Sequence, residues 1–365
     1  MNFYIPTKVF TEIDVITNHK RELISFGKRC FIVTGKHGAR SSGALDDVEK
    51  ILNGNGVVYD IFDEIGQNPL MSLCIKAGRQ ANTFGADYIL GIGGGSALDA
   101  AKVVAAVASN PELEEGDVYA KSWKNAVLPI VLVGTTAGTG SEVTKVAVLT
   151  TENGIKKSMN DDSFYASLAL GDPRYTASMS SATTASTAID ALAHLVESYF
   201  SNKANDISRA FSVKGCRMLI DKLQKIACGE ELTLEDRAVI YDASIVAGMA
   251  IAVTGTTFAH NVGYYFTENY NIPHGFASAM FMPELLKYEA DNNADYSDDF
   301  YEQVGYRRDV ISQIVQNIVP KYDISFTDEK IESVLPRWEN NNSVKNTKGA
   351  MNVNDIKHIL KHKFR

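Results

Sequence analysis

Apolar residues in the first half of the chain alternate between short, nearly continuous runs and longer segments in which they recur at helical spacing. RCFIVTG (29–35), VVYDIFDE (57–64), DYILGIGG (87–94) and LPIVLVGTT (128–136) are rich in branched and aromatic side chains, and each ends near glycine or turn residues. Between them, ALDDVEKILNGNG (44–56) and MSLCIKAGRQANTFG (71–85) carry the periodicity of helices facing a sheet. Strand and helix patterns that alternate in this way predict βαβ units and a parallel sheet. After GDPRYT (171–176) the texture changes to long runs rich in Ala, Ser, Leu and Ile with no strand alternation, so the second half reads as helical. Asp172-Pro173 is a chain reversal that disfavours helix before the proline. The expected division is therefore an α/β domain over 1–176 and an all-α domain over 177–365. The acidic stretch EADNNADYSDDFYE (289–302) is expected to be a solvated helix or loop.

Composition narrows the partners. A chain of 365 residues with 45% hydrophobic and 22% charged residues can bury a large core, and its length points to two domains. A formal net charge of −8 offers no general attraction to nucleic acid or anionic lipid, so a small metabolite is the expected partner. Cys30, Cys74, Cys216 and Cys228 show no CxxC spacing, which fits a cytoplasmic protein. MNFYIPTKVF has no signal-peptide pattern, and no run is expected to span a membrane.

Two glycine-rich turns carry the first candidate chemistry. In DYILGIGGGSALDAAKVVAAVA (87–108), Gly93, Gly94 and Gly95 separate a strand from a helix, and Ser96 with Asp99 has the spacing of an N-cap pair. The N–H groups and positive dipole at such a helix start attract a pyrophosphate, although a tight turn needs the same glycines for steric reasons. GTTAGTGSEVT (134–144) follows the next strand and offers Thr135, Thr136, Thr139 and Ser141 as hydroxyl ligands. Two such turns at the carboxyl edge of one sheet favour a shared nucleotide. The strand RCFIVTG ends at Gly35, where an NAD site usually places a carboxylate, and Lys36, His37 and Arg40 lie nearby. That charge pattern predicts a preference for NADP(H).

The second candidate is a metal site. In IDALAHLVE (189–197), Asp190 and His194 share a helix face, with Glu197 one turn later. Alone, the pair reads as a buried hydrogen bond between helices. TGTTFAHNVGYYFTENYNIPHGFASAM (254–280) adds His260 on a predicted helix and His274 in a Pro-His-Gly turn. One carboxylate and three imidazoles complete a coordination shell suited to iron or zinc. His358 and His362 also sit four apart, but in a basic C-terminal end where cations suit the helix dipole.

The segments GGGSALDAAK, PIVLVGTTAGTGSEVT, ALGDPRYT, DALAHLVE and TGTTFAHNVGYYFT with IPHG, in this order, resemble the iron-containing (group III) alcohol dehydrogenases. The resemblance implies a dinucleotide-binding α/β domain followed by a helical domain, the dehydroquinate synthase-like architecture. It implies Asp190, His194, His260 and His274 as metal ligands. Asn68, Gly94, Gly95, Ser96, Asp99, Thr135, Thr139 and Lys157 are the implied coenzyme contacts. NAD-preferring relatives place an aspartate where Gly35 stands. Many relatives carry a histidine where this chain has Tyr264, which makes Tyr264 a candidate proton donor and puts the usual proton route in doubt. Phe10-Thr11 replaces the usual Phe-Gly.

The implied activity is metal-dependent, reversible hydride transfer between NAD(P)H and a small aldehyde or ketone. Fe²⁺ is the implied ion, and the same ligands would accept Zn²⁺. Relatives are commonly dimers or larger, so a homo-oligomer is expected. Glycerol dehydrogenase-like polyol oxidation and dehydroquinate synthase-like lyase chemistry share the architecture. A metal-dependent hydrolase and a non-catalytic nucleotide-binding protein are further alternatives; the absence of HExxH speaks against the hydrolase.

Overall fold

The computed structural model describes residues 2–364. Six parallel strands form its main sheet: β1 (Lys8–Thr11), β2 (Arg29–Thr34), β3 (Val58–Phe62), β4 (Tyr88–Gly93), β5 (Ile130–Gly134) and β8 (Leu168–Gly171), in the order β1-β8-β5-β4-β2-β3. An antiparallel hairpin of β6 (Val146–Thr150) and β7 (Lys156–Asn160) stands apart from it. The four strands expected from sequence are all present and parallel. β1, β8 and the hairpin were not anticipated, because β1 and β8 have only four residues each.

Both sheet faces are covered, as parallel sheets require. Phe31 and Val33 of β2 pack in one apolar cluster with the helices Met71–Phe84 and Gly95–Ser109. Cys30 and Ile32 point the other way, into a second cluster with the helix Ala44–Gly54. The chain leaves β2 for β3 on one side and crosses back to β4 on the other, so the connections change direction between β2 and β4. Ligands of open α/β sheets bind at the carboxyl ends of the strands at such a point. Here those ends are Thr34-Gly35 and Gly93-Gly94.

Two compact units emerge from the contacts. The sheet unit contains Tyr4–Thr184 and also Leu232–Ala252; the helical unit contains Ala185–Glu231 and the chain from Val253 onward, with the first residues up to Phe3. This differs from a single cut at Thr176, because most of the helix Leu234–Thr254 is bound to the sheet unit. Its Tyr241 hydroxyl donates to Glu142 Oε1 at 3.0 Å, and Arg237 Nη1 donates to the Thr176 carbonyl at 2.7 Å. The same helix is long and apolar enough to cross a membrane, with a mean hydropathy of 1.4, contrary to the expectation that no run would qualify. Half of that stretch is buried within the protein.

Beyond Thr176 the described residues form helices and no named strand. The acidic stretch from Glu289 is the end of the helix Met282–Asn292 followed by the helix Ala294–Val304, and it is not wholly solvated. Glu289, Ser297 and Phe300 are fully buried. Burial pushes the Glu289 carboxyl up to about 8 from an ordinary 4.5, only partly offset by the amide of Asn293 and the charge of Lys348. The folded state therefore holds this proton more tightly than the unfolded chain does. Stability should fall as pH rises from about 4.5 towards about 8 and level off above that. Glu289→Gln is expected to flatten this slope, which urea titrations at several pH values would detect. An unchanged slope would exclude Glu289 as its source.

Candidate metal centre and coenzyme site

Three segments of the helical unit bring the metal candidates together. Asp190 and His194 lie on the helix Ser181–Tyr199, His260 is on Phe258–Tyr270, and His274 opens the helix His274–Ala279 after Pro273. Asp190, His260 and His274 each offer a donor atom, and these atoms all lie within 4.8 Å of one another. Asp190 Oδ1 is 3.3 Å from His260 Nε2 and 3.9 Å from His274 Nε2. His194 lies beside this group, its ring stacked on that of His260 with centroids 4.4 Å apart. Gly275 permits the approach, since a Cβ there would fall 1.9 Å from the Ser186 carbonyl oxygen and 2.9 Å from Asp190 Cβ.

The polar atoms at the centre of this group point to an ion. Asp190 and His260 are 2% and 1% exposed, yet Asp190 Oδ1 and His260 Nε2 find no hydrogen-bond partner among the described residues. Buried polar atoms left in this state are costly, and a cation at their common focus would satisfy both. Burial would raise the Asp190 carboxyl, but the charges of His194 and His274 and the contact with His260 outweigh it and hold it well below the usual carboxylate range. An ionised carboxylate with imidazoles is a donor set that fits divalent iron or zinc.

Glu197 completes the arrangement from behind. It is fully buried, and its Oε1 accepts from the backbone N–H groups of Thr257 (3.0 Å) and His260 (3.1 Å) and from the Thr257 hydroxyl (2.7 Å). Its Oε2 meets His260 Nδ1 in a close contact that fixes the ring and leaves Nε2 facing Asp190. Burial alone would lower the His260 imidazole, but the Glu197 and Asp190 carboxylates carry it up to about 10. Tyr264, one turn after His260, stacks on the His274 ring with centroids 5.4 Å apart.

In the sheet unit, the two glycine turns meet. Gly93 and Gly134 are paired at the ends of β4 and β5, and the Thr135 N–H donates to the Gly93 carbonyl at 2.9 Å. Gly94, Gly95, Ser96, Thr135, Thr136 and Thr139 thereby gather at one edge. The helix starts at Gly95 with Gly94 as its cap, so the anticipated Ser96–Asp99 cap does not form. No acidic residue lies in the first turn, which leaves the helix start suited to an anion. Asp99 turns inward, accepting from Ser141 Oγ at 2.6 Å and the Val148 N–H at 2.9 Å. Asn68 is exposed with a left-handed backbone (φ 55°), and the Lys157 ammonium sits 3.9 Å from the Tyr119 ring centroid.

At the end of β2, a Cβ on Gly35 would lie 2.7 Å from the Ile65 carbonyl oxygen. Lys36 and His37 are exposed, whereas Arg40 is engaged by Asp46 at 2.7 Å and Glu49 at 2.5 Å.

The model of the iron-containing alcohol dehydrogenases matches residues 6–173, and that of the C-terminal region of the same family matches residues 184–362. The chain belongs to the iron-containing alcohol dehydrogenase family. Among iron-containing alcohol dehydrogenases of known structure, the one from Thermotoga maritima superposes with a TM-score of 0.90 at 32% identity, over 99% of this chain and 98% of that one. The 1,3-propanediol dehydrogenase of Citrobacter freundii is 32% identical over 321 residues, 86% of this chain and 79% of that protein. Aldehyde-alcohol dehydrogenase 2 of Entamoeba histolytica is 31% identical over 300 residues, and the match spans only 34% of its length.

In the sequence, Glu197 stands out only as a neighbour on the Asp190 face. The signal that marks it is a carboxylate in an apolar helix, one turn beyond His194, which requires a buried partner. Glu197→Gln keeps the shape but replaces the acceptor facing His260 Nδ1. Its metal affinity should drop about 10- to 100-fold, as expected when the residue orienting a ligating histidine is lost. Competition with a calibrated chelator would measure this, and wild-type affinity would sink the assignment.

Proposed function

We propose that this protein interconverts small aldehydes or ketones and their alcohols by hydride transfer with NADP(H), using one divalent iron held by Asp190, His194, His260 and His274. The observation that carries this reading is the buried, unpaired meeting of Asp190 Oδ1 and His260 Nε2 beside His274. When bound, a divalent ion supplies Lewis acidity towards a carbonyl oxygen. Asp190, kept ionised, contributes the negative charge of the donor set. Glu197 holds His260 in the orientation that aims Nε2 at the centre. Tyr264, packed on His274, is the candidate hydroxyl for relaying a proton. Gly94, Gly95, Ser96 and the threonines of 135–139 take the coenzyme pyrophosphate.

The coenzyme preference rests on Gly35. An aspartate there would collide with the Ile65 carbonyl, and the exposed Lys36 and His37 suit a 2′-phosphate. Arg40 contributes less, because two carboxylates already hold it. The four free cysteines fit a reducing, cytoplasmic setting.

Following NADPH and NADH absorbance against a panel of short aldehydes, with and without ferrous iron, tests the whole reading. Iron-dependent turnover with a lower KM for NADPH is expected. Turnover in metal-free buffer would refute the metal role, and a clear preference for NADH would refute the coenzyme assignment.

A further inference from the structure

Lys102 is a buried cation that the site described so far does not use. It lies in the Ala- and Val-rich helix Gly95–Ser109 and is 0% exposed. Its ammonium donates to Ser141 Oγ at 2.8 Å, Thr144 Oγ1 at 3.3 Å and the Val146 carbonyl at 2.7 Å, and stands 3.4 Å from Asp99 Oδ1. Asp99 Oδ1 in turn accepts from Ser141 Oγ, and Oδ2 accepts from the Val148 N–H. One helix turn thus grips the loop 139–144 and the strand β6 through a closed polar knot. A buried cation without such partners would be strongly unfavourable, so the knot must stay intact for the loop to keep its place.

The knot connects directly to the coenzyme edge. Thr139 Oγ1 accepts from the Ser141 N–H at 3.3 Å. The Thr139 methyl carbon lies 2.7 Å from where a Cβ on Gly95 would be, and that of Thr136 lies 2.9 Å from the same point on Gly94. The threonine loop is therefore pressed against the backbone that begins the helix, and the Ser141 N–H ties it to the knot of Lys102, Asp99 and Ser141.

We propose that Lys102 is a positioning residue for the coenzyme: through Asp99 and Ser141 it holds the threonine loop 135–141 against Gly94 and Gly95, forming the cradle for a dinucleotide pyrophosphate. On this view Asp99 acts behind the cradle and does not touch the ligand. The inference rests on the coenzyme reading proposed above and adds to it the groups that shape the cradle.

The test compares wild type, Lys102→Met and Ser141→Ala, each as the full chain with ferrous iron, by NADPH fluorescence titration and steady-state kinetics. Each lost bond to a charged group should weaken coenzyme Kd and raise coenzyme KM about tenfold or more. The aldehyde KM should move by less than about threefold, a change too small to reflect one lost bond of this kind. Metal content should be unchanged. Variants with a lowered melting temperature but wild-type coenzyme Kd would overturn the proposal, since that is the signature of a purely structural lysine. If Lys102→Met is insoluble, Ser141→Ala, which removes a single oxygen and its bonds to Asp99 and Lys102, decides on the same criteria. Wild-type protein that binds neither NADPH nor NADH would instead defeat the coenzyme reading itself.

Discussion

Asp190→Asn should purify nearly free of metal and reduce aldehydes at least about a thousandfold more slowly than wild type, because a Lewis acid contributes several kcal/mol and each 1.36 kcal/mol is tenfold in rate. The substitution preserves size and shape, so its effect is electrostatic. Asp190 Oδ1 lies 3.3 Å from His260 Nε2 and 3.9 Å from His274 Nε2. Three imidazoles without that carboxylate retain donors but lose the anion that compensates a dication taken out of water. Far-UV circular dichroism should match wild type while elemental analysis shows the metal gone. His358→Ala, near the C-terminus where its ring meets that of His362, should leave both readouts unaltered. Wild-type metal content in Asp190→Asn would remove the basis for the proposed chemistry.

Gly275→Ala is the second large effect, and it is steric. The added methyl would occupy a point 1.9 Å from the Ser186 carbonyl oxygen and 2.8 Å from its carbon. That oxygen belongs to the backbone of the helix carrying Asp190, so relief demands a shift of a whole segment, not a side-chain rotation. Overpacking of this kind costs about 1–3 kcal/mol and occasionally more. The shift also moves His274 away from Asp190, so metal loss should accompany the drop in melting temperature. A variant that melts like wild type and keeps its ion would show that the two segments can separate without consequence.

The parts legible in the sequence were those written in local spacing. Asp190 and His194 share a helix face because they are four apart, whereas Pro273-His274-Gly275 reads in the sequence only as a turn and proves to open a helix. The buried strands of the sheet were equally plain, since both-face burial gives continuous apolar runs. What stayed hidden depended on distant pairing. The Ser96–Asp99 spacing suggested a local cap, yet Asp99 is drawn to Ser141 and Val148, 42 and 49 residues away. Glu197 finds its partners 60 and 63 residues later in Thr257 and His260. Lys102 gave little sign of its burial because, apart from Asp99 three residues before it, its partners Ser141, Thr144 and Val146 lie 39, 42 and 44 residues away. The β6–β7 hairpin had a readable cue in Asn153-Gly154, with Gly154 at φ 77°, but its second strand, KKSMN, is polar and largely exposed.

The carbonyl of Ile65 pressed against Gly35 also constrains how this enzyme can change over evolutionary time. Two of the four glycine codons are one base from an aspartate codon, so a lineage on an open scaffold can acquire the ribose-binding acid in as little as a single mutational step. Here that step lands on an occupied backbone position and is penalised before any benefit is felt. On the coenzyme reading proposed above, a switch towards NAD would begin with remodelling of the loop after β3, a two-move problem for selection and for directed evolution alike.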